Sequence, residues 1–159
     1  MHLYILFKKK KNNESKELIN LNDFFYTITE LIKYELNKNN ISLIINPDLK
    51  KVKIFFNPYK LREVLLNLIF NSIEAGAKNI NISCTNMDNL LNIFIKDDGI
   101  GLPNSIQQKL FTPFFTTKTY GCGMGLFVSR DIMHDNLGNL ELVSSKNRET
   151  VFCISIKNK

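Results

Sequence analysis

The sequence predicts an α/β two-layer sandwich, with about three helices covering one face of a mixed, mostly antiparallel sheet. Three observations lead there. Three segments carry apolar residues at helical spacing. Five to seven shorter runs are rich in β-formers, several of them alternating apolar and polar residues. Four of those runs pair off across short polar turns, as hairpins do, and helices added to a hairpin-built sheet cover one of its faces.

Residues 1–20 read as a linker or disordered N-terminus: a short apolar tip, the lysines 8–11, then polar residues. The folded unit is expected over 21–159. A helix starts at Asn22 or Asp23 as N-cap and carries Phe24, Ile28, Leu31, Ile32, Tyr34 and Leu36 to a stop at Lys38-Asn39-Asn40. Ile41–Asn46 and Val52–Phe56 are short extended runs parted by Pro47 and Asp48. Pro58 suits the first turn of a second helix, Tyr59–Ala75, which Gly76 ends. Asn79–Thr85 and Leu90–Lys96 form a hairpin across residues 86–89. Gly123 opens a third helix reaching about Asp135, with Gly138 as its stop. Asn139–Ser144 and Thr150–Ile156 make the second hairpin across residues 146–148.

With 159 residues and a hydrophobic fraction of 44%, the chain supports one ordinary core. The net charge of +6 owes four of its charges to Lys8–Lys11, and no interleaving of aromatic and basic residues points to nucleic acid. Cys84, Cys122 and Cys153 form no CxxC pair, and only His2 and His134 accompany them, which argues against a metal site of Cys and His. Cys84 and Cys153 are expected as buried thiols in a reducing compartment. No apolar run approaches the roughly 20 residues that span a bilayer. Leu3–Phe7 is too short for a signal core, and lysines follow it rather than precede it. The expected location is cytoplasmic.

Two stretches carry chemistry. In the second helix, Glu63, Asn67, Asn71 and Glu74 fall within roughly 80° of one another at 100° per residue, opposite Leu61, Leu65, Leu68 and Ser72. Asn is a poor helix former, so two of them one turn apart suggest a task. An amide oxygen holds magnesium without repelling a polyphosphate. In a chain this rich in Asn, the spacing fits a plain surface face equally well. The second stretch, Asp97–Leu126, reads DDGIGLPNSIQQKLFTPFFTTKTYGCGMGL. A strand delivers Asp97, a long loop follows, and the second glycine cluster opens a helix. Glycine permits close backbone approach, and a helix N-terminus offers N–H groups and partial positive charge to a phosphate. A loop of this length in a compact domain is usually functional or disordered. Together they suggest a nucleotide site under a movable cover.

From about Asn22 to its end the sequence resembles the ATP-binding catalytic domain of bacterial sensor histidine kinases, in the superfamily that also holds gyrase, the mismatch-repair ATPases and a heat-shock chaperone. LREVLLNLIFNSIEA resembles the N box, DDGIG the first glycine box, LFTPFFTTK the F box and GCGMGL the second glycine box. Each block alone is weak; the four in order are specific. The fold so implied is the Bergerat ATP-binding fold, with ATP and magnesium as cofactors.

The resemblance also implies roles. Asn71 matches the magnesium-binding residue, and Asn67 the Asn one turn earlier near the phosphates. Asp97 matches the carboxylate that accepts a hydrogen bond from the adenine amino group. Gly99 and Gly101 match glycines under the adenine and at the lid hinge. Gly121, Gly123 and Gly125 match the turn whose N–H groups face the phosphates, and Leu126 closes that box among the ATP contacts. Lys118 would be a lid cation for the phosphates, with Phe114 and Phe115 anchoring the lid. Hydrolysing members of the superfamily place a Glu where Asn67 stands, and an amide cannot act as a general base. Asn67, Asn71 and Lys118 are therefore expected to serve phosphotransfer rather than hydrolysis.

Neither His2 nor His134 has the context of an acceptor histidine, and His134 is expected as a surface or capping residue. The phosphate is thus expected to pass to a His-containing dimerisation domain, in cis or in trans, with a response regulator downstream, no nucleic-acid partner and no membrane segment in this chain. Asn57 stands where many relatives have Asp before Pro, and Cys122 replaces a Thr or Ser, leaving an oxidation-sensitive thiol beside the phosphate turn. The alternative is a stand-alone or degenerate regulatory module, an anti-sigma-like switch, that binds ATP and a partner without transfer.

Overall fold

The computed structural model describes residues 15–46, 52–119, 121–146 and 148–157. In chain order the elements are β1 (Glu17–Asn20), α1 (Leu21–Asn39), β2 (Ser42–Ile45), β3 (Lys53–Phe56), α2 (Pro58–Glu74), β4 (Asn79–Met87), β5 (Leu90–Asp97), the single turn α3 (Asn104–Gln107), α4 (Gly125–Asp135), β6 (Asn139–Lys146) and β7 (Glu149–Lys157). Five strands form one sheet in the order β2-β4-β5-β7-β6, antiparallel except for the parallel pair β2–β4. The mixed, mostly antiparallel sheet is as expected.

The two hairpins are as predicted, each strand extending one or two residues further. Asp88 and Asn89 both take positive φ, which gives the β4–β5 turn the twist a two-residue hairpin needs. The turn at Pro47 and Asp48 lies outside the described residues, as does residue 147 of the second hairpin.

Several expectations change. Within the expected 1–20 linker, Glu17–Asn20 pair antiparallel with β3, residue for residue from Glu17↔Phe56 to Asn20↔Lys53. Residues 1–14 lie outside the described part, His2 among them. The run at 53–56 thus belongs to a small second sheet, because its partner is β1. The first helix is capped two residues earlier, by Asn20, whose side chain accepts from Asn22 N–H at 3.0 Å. Its buried stripe is Leu21, Phe25, Ile28, Ile32 and Leu36, while Leu31 and Tyr34 are exposed. The third helix starts at Gly125, not Gly123. At its end Leu137, not Gly138, takes the left-handed conformation. Gly138 serves close packing instead: a Cβ there would lie 2.4 Å from the Ser155 carbonyl oxygen.

Strand alternation sets the core. Ile80 and Ile82 of β4, Leu91, Ile93 and Ile95 of β5, and Phe152, Ile154 and Ile156 of β7 are buried in the main core cluster. The α2 stripe of Leu61, Val64, Leu65, Leu68 and Ile69 belongs to the same cluster. Cys153 is buried, Cys84 half-buried and Cys122 exposed, with no disulfide among them. No helix among the described residues is long and apolar enough to cross a membrane.

Asn57 fixes where α2 begins. It is buried, and its side chain accepts from Tyr59 N–H at 2.9 Å and Lys60 N–H at 3.0 Å, with Pro58 in the first turn. Asn57→Ala should therefore cost about 1–2 kcal/mol, read as a lower urea midpoint at unchanged m-value. Asn57→Asp, which keeps the acceptor, should retain most of that stability.

Candidate nucleotide-binding site

Period-two alternation along β5 puts Asp97 on the same side as Leu91, Ile93 and Ile95, at the end of the strand. Period-3.6 spacing along α2 puts Ser72 on the same stripe as Leu61, Leu65 and Leu68. The two polar residues that end these apolar rows meet: Ser72 Oγ donates to Asp97 Oδ2 at 2.8 Å. Gly99 N–H donates to Asp97 Oδ1 at 2.9 Å. Asp97 is only 4% exposed. Its neighbour Asp98 points the other way and accepts from Lys78 N–H at 2.7 Å and from Asn79 N–H at 2.8 Å. Asn79 N–H, with the Asn79 side chain and Lys78 N–H, holds the Asp98 carboxyl below its ordinary value.

The first glycine cluster is pinned on both sides. Ile100 N–H reaches the Ala75 carbonyl at the end of α2, at 3.1 Å. Gly101, buried with φ 76, turns the chain into Leu102, whose N–H donates to Ser145 Oγ at 2.8 Å. Ser145 and Thr150 exchange a hydroxyl contact at 3.2 Å, and Gln107 Nε2 donates to the Ser145 carbonyl at 3.1 Å. A cavity of about 390 Å³ opens here, lined by Ile100, Gly101, Leu102, Pro103, Asn104, Ser145 and Lys146. A second, of about 230 Å³, is lined by Glu17, Phe24, Thr27, Ile28, Pro58, Tyr59 and Arg62, none of which is a predicted site residue.

The long loop is anchored differently from expectation. Phe114 is 76% exposed, with φ 64, and cannot anchor anything; Phe115 is half-buried. Leu110 and Phe111 pack on the core instead, and the Arg130 guanidinium of α4 lies 4.6 Å from the Phe111 ring. The second glycine cluster folds back on this segment: a Cβ at Gly123 would meet the Phe114 carbonyl carbon at 2.4 Å. Gly125 opens α4 against α2, where a Cβ would meet Asn67 Oδ1 at 2.4 Å. Among the described residues no side chain caps this end of α4.

The polar face of α2 gathers the rest. Asn67 Nδ2 donates to Ser129 Oγ of α4 at 3.0 Å. Lys118 Nζ donates to Asn71 Oδ1 at 2.7 Å and pairs with the Glu74 carboxylate. So α2 brings together Asn67 with Gly125, Asn71 with Lys118, and Asp97 through Ser72. Gly121 and Leu126 flank the same turn, exposed and half-buried. Sequence reasoning assigned no role to Ser129, Ser145 and Thr150, and none beyond its stripe to Ser72. Each is a buried polar residue in an otherwise apolar row or at a strand end, the one signal that marks it. His134 is exposed in the last turn of α4 and contacts Asn139 Oδ1 at 3.2 Å, as a surface residue would.

A profile described as histidine kinase-, DNA gyrase B-, and HSP90-like ATPase matches residues 56–159. Sporulation kinase A of Bacillus subtilis is 27% identical over 157 residues, covering 98% of this chain and 26% of that protein. Sensor histidine kinase ZraS of Salmonella typhimurium is 31% identical over 144 residues, covering 87% of this chain and 30% of that protein. The chain thus spans between a quarter and a third of these relatives. Among solved structures, the nucleotide-free catalytic domain of histidine kinase ThkA is similar at TM-score 0.81 and 28% identity, covering 91% of this chain and 96% of that one. ThkA in complex with the response regulator protein TrrA is similar at TM-score 0.77 and 26% identity, covering 91% of this chain and 42% of that one.

Burial is the largest influence on Asp97 and pushes its carboxyl above the ordinary value, against the Gly99 and Ser72 hydrogen bonds that lower it; Asp98 adds to the rise. The folded chain then keeps this proton to higher pH than the unfolded chain. Stability from this group falls as pH climbs from the ordinary carboxylate value to the raised one, and is level above it. Asp97→Asn removes that titration. The variant's unfolding free energy minus that of the parent should rise with pH through this window and then plateau. Urea unfolding across acidic to neutral pH measures it; a pH-independent difference would contradict the assignment.

Proposed function

The chain belongs to the histidine kinase-, DNA gyrase B- and HSP90-like ATPase family, and from that premise we propose that it is the catalytic unit of a two-component sensor histidine kinase, passing the ATP γ-phosphate to a histidine on a dimerisation domain in cis or in trans. The observation that carries this reading is the α2 face: Asn67 and Asn71 lie on one rigid helix, which Ser72 ties to the buried Asp97 at the end of β5. The response regulator in the ThkA complex supports a regulator as downstream partner.

In this reading Asp97 recognises adenine. Each carboxylate oxygen already accepts one hydrogen bond, and an ionised carboxylate has about four acceptor sites, so capacity remains for the adenine amino group. The N–H groups at Gly123, Gly125 and Leu126 face the phosphates at the uncapped start of α4, where the helix dipole favours negative charge. Gly121 lets the backbone approach, while Gly99 and Gly101 shape the adenine side and the lid hinge. Lys118 supplies a positive charge from the lid. Asn71 Oδ1 converges with a carboxylate on an ammonium, which fits an oxygen that takes a cation, so Asn71 would hold magnesium. Magnesium held there would supply charge neutralisation for the polyphosphate.

Asn67 decides between water and histidine as acceptor. Its amide is held by Ser129 and cannot take a proton from water. Phosphoryl transfer needs mainly positioning and charge neutralisation, which these residues provide.

The full chain should bind ATP in a magnesium-dependent manner by calorimetry. It should label the histidine of a supplied His-bearing helical domain from γ-labelled ATP. Asn71→Ala should lower transfer by at least about ten- to a hundredfold, since loss of even a supporting metal contact has that effect. ATP binding without any labelling of a histidine would overturn the kinase reading.

A further inference from the structure

Lys118 Nζ lies between two oxygens of α2, Asn71 Oδ1 at 2.7 Å and the Glu74 carboxylate. Residues 71 and 74 are three apart, hence neighbours on one helix face. Two oxygens that converge on one ammonium define a cation position, with a neutral amide on one side and a carboxylate on the other. Resting on the reading above, we propose that Glu74 is the second protein oxygen of the metal position. The Lys118 ammonium and the nucleotide's divalent ion are then alternative occupants of it.

The chemistry favours a carboxylate here. Magnesium in nucleotide sites is usually held by one or two carboxylates together with substrate phosphates, and an amide alone supplies none. The other carboxylates of the region are engaged or distant. Asp97 is buried, with both oxygens accepting from Ser72 and Gly99. Asp98 is held by Lys78 and Asn79. Glu63 precedes Asn71 by eight residues, about 12 Å along the helix axis at 1.5 Å per residue. Glu74 is exposed and meets the same ammonium as Asn71, so it is within reach. Among the described residues no group of three or more His, Cys, Asp or Glu side chains assembles a site by itself. Two protein oxygens must therefore be completed by phosphate oxygens and water, so the metal binds weakly alone and firmly with ATP.

Exchange of the occupants has a consequence. A carboxylate facing a polyphosphate repels it unless a cation stands between them. When the divalent ion takes the position, Lys118 is released from α2 and free to meet the phosphate from the lid side. Metal arrival and lid rearrangement are thereby coupled through Glu74.

The test uses the full chain, a fluorescent ATP analogue, and Mg²⁺ and Mn²⁺ as probes. In Glu74→Gln, the Mg²⁺ concentration giving half-maximal analogue binding should rise about tenfold or more. Glu74→Asp should recover part of that loss. In EDTA the same Gln variant should bind the analogue as well as the parent or better, because a negative charge has been removed. In Lys118→Met, Mn²⁺ binding without nucleotide, read by electron paramagnetic resonance, should tighten about two- to fivefold as the tethered competitor is lost. An unchanged Mg²⁺ midpoint in Glu74→Gln, with the parent binding Mg²⁺ and analogue normally, would overturn the proposal and leave Glu74 as a lid contact only. Failure of the parent to bind the analogue with Mg²⁺ would instead overturn the nucleotide-site reading beneath it.

Discussion

The buried hydrogen bond from Ser72 to Asp97 is the contact on which the rest of the site depends. It joins the polar ends of two apolar rows, one on the central α2 and one on the middle strand β5. Burying a carboxylate is unfavourable, as the upward push on its pKa records, and the Ser72 hydroxyl and Gly99 N–H offset part of that cost. The apolar stripe of α2 seats the helix on the sheet, and the bond fixes where it meets Asp97. Asn67 and Asn71 are on the same rigid helix, so their positions relative to Asp97 follow from it.

From that wall the remaining parts are placed by short contacts rather than by bulk packing. The first glycine cluster is held by Ala75 at the end of α2 and by the Ser145–Thr150 hydroxyl pair on the far hairpin. The second is held by steric fit, Gly125 against the Asn67 amide and Gly123 against the backbone of the Phe114 segment. Between the two, the loop is fastened at Leu110 and Phe111, with Arg130 over the ring. Among the described residues the buried Arg130 Nε has no hydrogen-bond partner, so this clamp rests on the ring contact and packing. Past Phe111 the loop meets α2 mainly through Lys118, an exposed polar contact of the kind that is weak and readily exchanged. A rigid wall and a loosely held cover suit a site that must open to a nucleotide and close over it.

The choice of an amide at position 67 has structural as well as chemical weight. Asn67 donates to Ser129 while its oxygen lies against the Gly125 backbone, so it ties α4 to α2 as a neutral spacer. A carboxylate there would have no proton for Ser129, whose hydroxyl would have to donate instead of accept.

Local periodicity determined much of this protein from sequence alone. Alternation placed Asp97 at the end of a sheet strand, helical spacing put Asn67 and Asn71 on one face, and glycine and proline punctuation marked both clusters and most helix ends. Those signals act within a few residues, so one chain segment suffices to read them. Tertiary structure decided the rest, because it depends on partners distant in sequence. Glu17–Asn20 carries too short a pattern to read as a strand until β3 lies beside it. Phe111 rather than Phe114 became the anchor because Arg130 and the core meet that ring. Lys118 and Glu74 are 44 positions apart, and nothing local to either says that one would hold the other. Ser72 looked like one polar break in an apolar stripe until the fold brought the buried carboxylate 25 residues later against it.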